Sequence, residues 1–363
     1  MQATHGAGHP TIVLSGFFGR GNCGDEAILQ AQYELLEPRF TVVISVDERG
    51  AYDGFWNWYP YDRCRIVHQA NLGVLAEPEV VGIHVGGGGL PHGFNAAQVV
   101  HARSLDKPAF LTGVDAHPPR SSAAAGAMGS YLGLFDQISV RSAAAWSTMS
   151  SLAPGCHQGT DWAVGLPTDG PAFGTRSDDV LVTIREFPEE FVTARYVDAL
   201  AELIAILAGS HERVVALPFC PEDERFLDRL APAASLPREV HWWNPRGMQR
   251  CIAAARRVVS VGRLHPLVFA ANVGTPAAFV EPLAHEPRWA GCTKARQLSA
   301  EHAWPYYRSI REAIEDFAAR GCPWTPSGFA EDTHGRRRAM AERLTDGFAA
   351  AGAGRPGGRA RAG

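Results

Sequence analysis

The sequence predicts an α/β protein of two Rossmann-like domains that face a cleft, and three observations predict this class. Apolar runs of strand length alternate with helical stretches in the first half of the chain. A Pro- and Gly-rich segment at 165–179 interrupts the alternation, which then restarts. With 363 residues, 46% of them hydrophobic, the chain is long enough for two cores. Alternating strands and helices imply parallel sheets with right-handed crossovers.

The first domain is expected over residues 1–170. Its predicted strands are TIVLS, TVVISV, VVGIHV, PAFLTG and QISVR. Its predicted helices cover about 25–37 and 96–105 and resume at Ser142.

The second domain is expected over residues 176–300. Its predicted strands are VLVTIR, RVVALPF, VHWW, VVSVGRL and PAAFVE. Its predicted helices lie around 192–207, near 223–230 and 248–257, and from Pro266 onward.

The C-terminal part is expected to contain one helix and one tail. A helix within 301–334 carries an apolar stripe, and we expect it to pack across both domains. Residues 335–363 hold seven Arg and seven Gly, which is typical of a disordered basic tail. Such a tail is either simply solvated or weakly attracted to an anionic membrane surface.

Composition excludes several classes of protein. The net charge of -4 and the pI near 6.4 give no reason to expect nucleic acid. Seven scattered cysteines without a C-x-x-C pair fit neither a disulfide framework nor a zinc site, so no metal is expected. Without a signal peptide or an apolar span, the chain is expected in the cytoplasm, with peripheral membrane contact only through its tail.

The opening segment GFFGRGNCGDEAIL contains a literal G-x-G-x-x-G at Gly19, Gly21 and Gly24. This spacing, with Asp47 ending the next strand, fits the dinucleotide fingerprint. Two acidic residues follow the third glycine, however, and would repel a pyrophosphate at the helix N-terminus. The loop therefore favours hydroxyl groups, and Gly21, Asn22 and Asp25 become candidate substrate contacts.

Ligands of open α/β sheets bind at the carboxyl ends of the strands, so those positions are the next candidates. The segment VGGGGL offers Gly86, Gly87 and Gly88, which suit either close approach to a ligand or a facing helix, or merely a tight turn. Charged side chains follow the other strands: Asp115, Arg141, Asp161, Arg185, Arg263, His265 and Glu281. Because the Arg fork fits carboxylate and phosphate, the set predicts a site for a small, multiply anionic ligand.

The segment VVSVGRLHPLVFAANVGTP is the most informative. If Arg263, Leu264 and His265 are extended, the cation and the proton carrier share one face. Pro266 fits the first helical position, with His265 as the N-cap. We hypothesise that a bound anion favours the protonated form of His265, which then acts as general acid on that same ligand. The alternative is that His265 is a hydrogen-bonded structural histidine.

These segments together resemble the polysaccharide pyruvyl transferase family over about residues 11–285. The resemblance implies a glycosyltransferase-B-like fold and transfer of a pyruvyl group from phosphoenolpyruvate to a sugar as a ketal, without metal or nucleotide cofactor. It also implies that Arg141, Arg263 and His265 form the phosphoenolpyruvate site, with His265 as the proton carrier. Leu264, Arg185 and Glu281 complete the candidate substrate contacts.

The acceptor side departs from the family pattern. Ser142 stands where Asp is common, GVDAHPP replaces Gly-Ile-Gly-Pro, and Pro91 and His92 follow the glycines. Asp115 is either a base toward an acceptor hydroxyl or a loop cap. The aromatic segment YDGFWNWYPYDR has two interpretations. It binds the sugar of an acceptor, which is a sugar, a glycolipid or a glycosylated small molecule, or it belongs to the hydrophobic core.

Three other functions stay open. A nucleotide-sugar glycosyltransferase of the same fold would use Glu281 to hold a ribose. An NAD dehydrogenase would use the literal glycine spacing and Asp47. A catalytically silent binding protein would explain the altered family positions, although it would not need Arg263 and His265.

Overall fold

The computed structural model describes residues 9–47, 51–90, 95–116, 118–119, 121–167, 177–209, 213–283, 293–321 and 326–353. The chain divides into two compact units. The first unit comprises Met1–Arg20, Ile28–Trp162 and Asp332–Gly363, and the second comprises Gly21–Ala27 and Ala163–Glu331. The predicted boundaries at 170 and 300 differ from this division, because the second unit begins at Ala163 and extends to Glu331. It also takes in Gly21–Ala27 of the opening segment. The sequence departures at Pro91 and His92 lie outside the described residues.

The first unit contains a parallel sheet in the order β3-β2-β1-β4-β6-β7-β8, with β5 paired to β6. Its strands are β1 (Thr11–Ser15), β2 (Thr41–Val46), β3 (Arg65–His68), β4 (Val80–Gly86), β5 (Gly89–Leu90), β6 (Ala109–Ala116), β7 (Gln137–Val140) and β8 (Cys156–Gln158). Every residue of β1, β4 and β6 is buried, as expected for parallel strands covered on both faces. The alternation predicted the five central strands and missed the short β3, β5 and β8.

Helices connect these strands. They are α1 (Cys23–Leu36), α2 (Ala96–Ser104), α3 (Ser122–Leu132) and α4 (Ala143–Ser150). The last described helix of the unit is α12 (Thr333–Ala353). Short 3-10 helices occupy Phe55–Asn57, Tyr61–Arg63 and Leu72–Ala76. The first turn of α1 belongs to the second unit, since Gly21–Ala27 groups with it.

The second unit contains a parallel sheet in the order β10-β9-β11-β12-β13. Its strands are β9 (Asp179–Ile184), β10 (Arg213–Ala216), β11 (Arg257–Val261), β12 (Ala277–Val280) and β13 (Tyr306–Tyr307). Its helices are α5 (Ala194–Ala208), α6 (Pro221–Arg229), α7 (Ala231–Ala234), α8 (Pro245–Ala254), α9 (His265–Val273), α10 (Thr293–His302) and α11 (Ile310–Arg320), with a 3-10 helix at Glu189–Phe191.

The predicted strand VHWW is wrong. Trp242 and Trp243 lie in a turn before α8, and only Arg238 makes an isolated bridge to Ala216. The turn is closed by the Asn244 amide, which donates to the His241 carbonyl at 2.8 Å. The local apolar run reflects the burial of Trp242 and not strand pairing.

The apolar stripe predicted near 307–317 faces the core of the second unit. Ile310, Ala313, Ile314 and Phe317 of α11 are buried in a cluster with residues of α5. The structure therefore assigns this helix to the second unit, whereas its apolar stripe had suggested a helix that packs across both domains.

The prediction of a disordered tail is wrong for residues 335–353, which lie in α12 of the first unit. Met340, Leu344 and Phe348 are buried at four-residue spacing, a helical stripe that the Arg- and Gly-rich composition concealed. The Phe348 ring centroid lies 4.5 Å from that of Phe110. Residues 354–363 lie outside the described residues. None of the helices in the described part of the chain combines the length and apolar character needed to cross a membrane.

Candidate functional site

The end of β11 is shaped by a glycine. Gly262 has φ +84, and a Cβ built on it would lie 2.9 Å from Cζ of Phe187. Its amide donates to the Val280 carbonyl on the neighbouring strand at 3.2 Å. Because other residues rarely adopt this backbone conformation, Gly262 sets the direction of Arg263 and of the helix that follows.

Helix α9 begins at His265, one residue earlier than predicted. Leu264 is the N-cap residue and has helical dihedrals (φ -79, ψ -49), so Pro266 occupies the second helical position. The prediction that Arg263 and His265 share one face of an extended segment is therefore wrong. Both side chains are nevertheless partly accessible at the start of α9, whereas Leu264 is buried.

Arg263 is held by one buried carboxylate. Its Nε donates to Oδ2 of Asp223 at 2.9 Å, and its Nη2 donates to Oδ1 at 2.6 Å. Nη2 also donates to Sγ of Cys220 at 2.9 Å. This side-on fork leaves Nη1 without a hydrogen-bond partner among the described residues of the second unit. The side chain is 18% exposed, so that edge of the guanidinium is available to a ligand.

Asp223 is the site residue that the sequence analysis missed. Its side chain is 0% exposed and lies in the first turn of α6. It accepts the amides of Glu186 at 2.9 Å and Phe219 at 3.2 Å, in addition to Arg263. The available signal was the sequence CPEDER directly after the predicted strand RVVALPF, since Pro and acidic residues mark a helix N-terminus.

The opening segment reaches the start of α9. A Cβ built on Gly24 would lie 1.9 Å from Nδ1 of His265, so the backbone at Gly24 lies directly against the imidazole. The Cys23 amide donates to the Phe219 carbonyl at 2.8 Å, which ties this segment to the loop before α6. Glycine at position 24 is thus required by close approach to His265.

Two backbone amides of the opening loop already have side-chain acceptors. Gly21, with φ +72, donates its amide to Oε1 of Glu26 at 3.2 Å, and Gly24 donates to Oδ1 of Asn22 at 3.2 Å. Asn22 also accepts the Glu26 amide with its carbonyl at 2.9 Å. A pyrophosphate would compete with these contacts and with buried acidic groups, which argues against dinucleotide binding.

Charge around Arg263 favours its cationic form. Burial alone would lower the pKa of Arg263, but Asp223, Cys220 and Asp25 outweigh it and the pKa lies above its ordinary value. Burial raises the pKa of the Cys220 thiol, and burial with Glu26 and Cys220 raises that of Cys23. Both thiols therefore stay protonated at neutral pH and are poor nucleophiles.

Two more predicted residues lie at strand ends of the second unit. Arg185 follows β9, is partly buried, and donates its amide to the Val261 carbonyl at 3.0 Å. Glu281 follows β12, is buried, and accepts the Tyr306 hydroxyl at 3.0 Å. The hydrogen bond from Tyr306 occupies one of the carboxylate oxygens that would otherwise meet a ribose.

Arg141 lies in the first unit, between two carboxylates. Nη1 donates to Oδ2 of Asp161 at 2.8 Å, and Nη2 lies 3.3 Å from Oδ2 of Asp115. Each of the three side chains is at most 3% exposed. Burial would lower the pKa of Arg141, but Asp115 and Asp161 outweigh it and raise the pKa. Asp115 lies within β6 and not in the loop after it.

The four-glycine segment approaches a helix. A Cβ on Gly87, which has φ +78, would lie 2.8 Å from Ile28 of α1, and one on Gly86 would lie 2.1 Å from Nε2 of Gln32. Gly88 also has a positive φ, of 77. Of the uses expected for these glycines, close approach to a facing helix is the one supported by the described contacts.

A family comparison identifies the relationship. The sequence profile described as "Polysaccharide pyruvyl transferase" matches residues 22–282. The chain belongs to this family. The matched range contains Asp223, Arg263 and His265 of the second unit and Asp115 and Arg141 of the first.

Solved structures show a shared fold. UDP-GlcNAc 2-epimerase from Neisseria meningitidis, bound to UDP-GlcNAc, has TM-score 0.63 and 11% identity over 93% of this chain and 99% of that one. A UDP-glucosyltransferase from Polygonum tinctorium has TM-score 0.53 and 13% identity over 95% of each chain. MurG from Acinetobacter baumannii has TM-score 0.52 and 11% identity over 94% and 99%. The fold is thus glycosyltransferase-B-like, with two Rossmann-like domains. No curated protein sequence matches the chain.

One departure from the family pattern has a structural explanation. Ser142 is the N-cap of α4, and its hydroxyl accepts the Ala145 amide at 3.0 Å. Asp and Ser are comparably good N-caps, so the exchange keeps the cap while removing a negative charge next to Arg141.

The aromatic segment is divided between core and surface. Phe55 and Tyr61 are buried with their ring centroids 5.0 Å apart. Trp56 is 51% exposed, and Tyr52 stacks on Trp58 with 26° between the ring planes. The exposed Trp56 and the Tyr52–Trp58 stack keep the sugar-platform interpretation open, whereas Phe55 and Tyr61 are packing residues.

Proposed function

We propose that this protein is a pyruvyltransferase that moves the pyruvyl group of phosphoenolpyruvate onto hydroxyls of a sugar-containing acceptor. The product is a ketal, and phosphate is released. The acceptor is a sugar, a glycolipid or a glycosylated small molecule. Because phosphoenolpyruvate carries its own leaving group, the transfer needs no nucleotide cofactor.

The observation that carries this proposal is the Arg263–Asp223 pair beside His265. Asp223 binds the Nε–Nη2 edge of the guanidinium and leaves Nη1 to meet a carboxylate or a phosphate oxygen. Arg185 at the neighbouring strand end provides a second cation. A site of this kind suits a small, multiply charged anion better than a neutral sugar.

His265 would deliver the proton that starts the reaction. Protonation of the methylene carbon makes a methyl group and cationic character at the central carbon, where an acceptor hydroxyl oxygen forms a bond. The carbon–oxygen bond to phosphate then breaks, and a second hydroxyl closes the ketal. The two hydroxyl protons go back to His265 and to the departing phosphate, so the atoms and charges balance.

Asp115 is poorly suited to act as a base toward an acceptor hydroxyl. Its Oδ1 accepts the Ala116 amide at 3.1 Å and its Oδ2 faces Arg141, which leaves little capacity to accept a hydroxyl proton. The proposal therefore assigns acceptor binding to the hydroxyl-favouring opening loop, whose Gly24 backbone lies against His265, and it leaves Asp115 with a positioning role toward Arg141.

The test is calorimetric titration with phosphoenolpyruvate and, in parallel, UDP-GlcNAc. It is made on the wild type, on Arg263→Ala and on His265→Ala. We expect the wild type to bind phosphoenolpyruvate and Arg263→Ala to lose binding. His265→Ala should still bind it but release no phosphate when sugar acceptors are added.

Two outcomes would contradict the proposal. Binding of UDP-GlcNAc without phosphoenolpyruvate would identify a nucleotide-sugar enzyme, the activity for which the fold neighbours are named. Saturable phosphoenolpyruvate binding with no phosphate release in an acceptor screen, unchanged in His265→Ala, would identify a silent binding protein.

A further inference from the structure

Three side chains of metal-ligating types converge in the second unit, and none of them belongs to the Arg263–Asp223 pair. Glu239, His241 and Cys251 each offer one ligand atom, and these atoms all lie within 4.8 Å of one another. Nε2 of His241 and Oε2 of Glu239 are 3.3 Å apart. The sequence does not reveal this group, because nine residues separate His241 from Cys251 and no C-x-x-C pair is present.

The distances fit a tetrahedral ion. Zinc bonds of about 2.0–2.2 Å to nitrogen and oxygen and about 2.3 Å to sulfur place neighbouring ligand atoms about 3.3–3.7 Å apart. The His241–Glu239 separation of 3.3 Å already meets this condition. The upper bound of 4.8 Å exceeds it by about 1 Å, which a rotamer adjustment of partly exposed side chains closes.

The supporting backbone is well defined. Cys251 lies on α8, which buries Met248 and Ile252 among other residues, and the Asn244 side chain caps this helix by accepting the Gly247 amide at 3.0 Å. Glu239 is tied to the sheet, since its amide donates to the Ala216 carbonyl at 3.0 Å. The site therefore joins the edge of the sheet to α8.

We propose that Glu239, His241 and Cys251 bind Zn²⁺, with water in the fourth position. The mixture of thiolate, imidazole and carboxylate selects zinc over Mg²⁺ and Ca²⁺, which prefer oxygen ligands throughout. Three protein ligands and one open position make this an exchangeable site and not a closed structural one.

The ion would stabilise the turn that carries Trp242. The Trp242 ring packs against Gly21 of the opening segment, where a built Cβ would lie 3.0 Å from Cε3, and its Nε1 donates to Oε2 of Glu224 at 3.0 Å. Because His241 directly precedes Trp242, a metal on His241 restricts the turn at this contact. The metal site therefore has a structural role: it holds the Trp242 turn against the opening loop and takes no part in the chemistry.

The test uses Co²⁺ as a spectroscopic substitute for zinc, on the full chain stripped of metal. The wild type should bind Co²⁺ with a thiolate-to-cobalt charge-transfer band and intense tetrahedral d–d bands, and Zn²⁺ should displace it. Cys251→Ser should lose the charge-transfer band. His241→Gln and the exposed-site variant Glu239→Gln should each weaken Co²⁺ binding by at least about 10- to 100-fold, the loss that removal of even an outer-shell partner produces.

Cys64→Ser provides the matched control. Cys64 is another partly buried free thiol, in the first unit, and its replacement should leave the band unchanged. A wild type without the band, or a band that persists in Cys251→Ser, overturns the proposal. Glu239→Gln changes an exposed side chain and is expected to fold, so undiminished Co²⁺ affinity in that variant also overturns the three-ligand site. None of these measurements depends on phosphoenolpyruvate.

Discussion

Arg141 and Arg263 follow parallel strands in different units and look alike in the sequence, but their surroundings differ. Arg141 is 3% exposed and has two carboxylate partners, Asp115 and Asp161. Arg263 is 18% exposed and has one carboxylate partner, Asp223. Two carboxylates around the Arg141 guanidinium leave a net negative charge with no exposed edge, whereas Nη1 of Arg263 has no hydrogen-bond partner among the described residues of its unit. We therefore expect the number of carboxylate partners, and not the position after a strand, to separate a structural arginine from one that binds a ligand.

Two histidines show the same contrast. His84 in β4 is completely buried, with Nε2 2.6 Å from Oγ1 of Thr112, and burial lowers its pKa to about 3. His265 is partly exposed at the start of α9. His84 is therefore a neutral core residue, whereas the proposed reaction requires His265 to exchange a proton with the bound ligand.

The largest expected effect is on stability, from Arg141→Met. This change leaves two buried carboxylates without their counter-charge, so the free energy of unfolding should fall by about 3–5 kcal/mol. Urea denaturation measures it. The matched control is Arg65→Met, which removes the exposed Arg65–Glu77 pair and should cost at most about 1 kcal/mol.

The same variant can also contradict the ion-pair interpretation of Arg141. If the Arg141→Met protein is as stable as the wild type but no longer binds phosphoenolpyruvate, Arg141 is part of the donor-binding site, as the family resemblance implies. Partial recovery of stability on adding Asp115→Asn would instead support the ion-pair interpretation.

The second effect is on ligand affinity, from Arg263→Lys. Lysine keeps a positive charge near Asp223 but lacks the fork that binds the carboxylate on one side and the ligand on the other. We expect calorimetry to show phosphoenolpyruvate affinity reduced by about 100-fold, which corresponds to about 2.8 kcal/mol. Arg229→Lys, at an exposed pair with Glu189, should leave the affinity unchanged. Equal affinities in the two variants would remove Arg263 from the donor site.

The third effect is on turnover, from Gly24→Ala. The new Cβ would lie 1.9 Å from Nδ1 of His265, so the imidazole must move. Misplacing a reacting group by about 1 Å lowers kcat by up to about 100-fold, while Arg263 still binds phosphoenolpyruvate. Phosphate release with an acceptor that the wild type uses would report kcat. Gly126→Ala, with nothing within 4 Å of the new Cβ, is the control. A Gly24→Ala enzyme with normal kcat would show that His265 is not the proton donor.

The sequence predicted the two-sheet organisation because apolar runs and helical stretches are local patterns. It failed where burial was decided by distant partners. Trp242 and Trp243 look like strand residues, yet Trp242 is buried by packing on Gly21, more than 200 positions earlier. The Met340, Leu344 and Phe348 stripe was hidden because Arg and Gly dominate the composition around it.

The site shows the same limit. Arg263, His265 and the opening loop could be predicted from the residues that follow strands and from family resemblance. Asp223 could not be ranked above its acidic neighbours, since only the fold shows which of Glu222, Asp223 and Glu224 faces Arg263. The role of Gly24 likewise depends on a contact with a residue 241 positions away, which no local pattern reports.

The smallest expected effect tests the histidine contrast through pH. The pKa of His84 is lowered from 6.5 to about 3 in the folded protein, so the unfolded chain takes up a proton between these values and the folded chain does not. Stability therefore falls as pH falls through this window, and His84 alone should account for about 1 kcal/mol between pH 7 and pH 5.5. The measurement is the free energy of unfolding at both pH values for the wild type and His84→Gln, because the subtraction cancels the contribution of other titrating groups. The pH-dependent loss should be about 1 kcal/mol smaller in the variant, whereas identical losses would mean that His84 takes up its proton in the folded state as readily as in the unfolded chain.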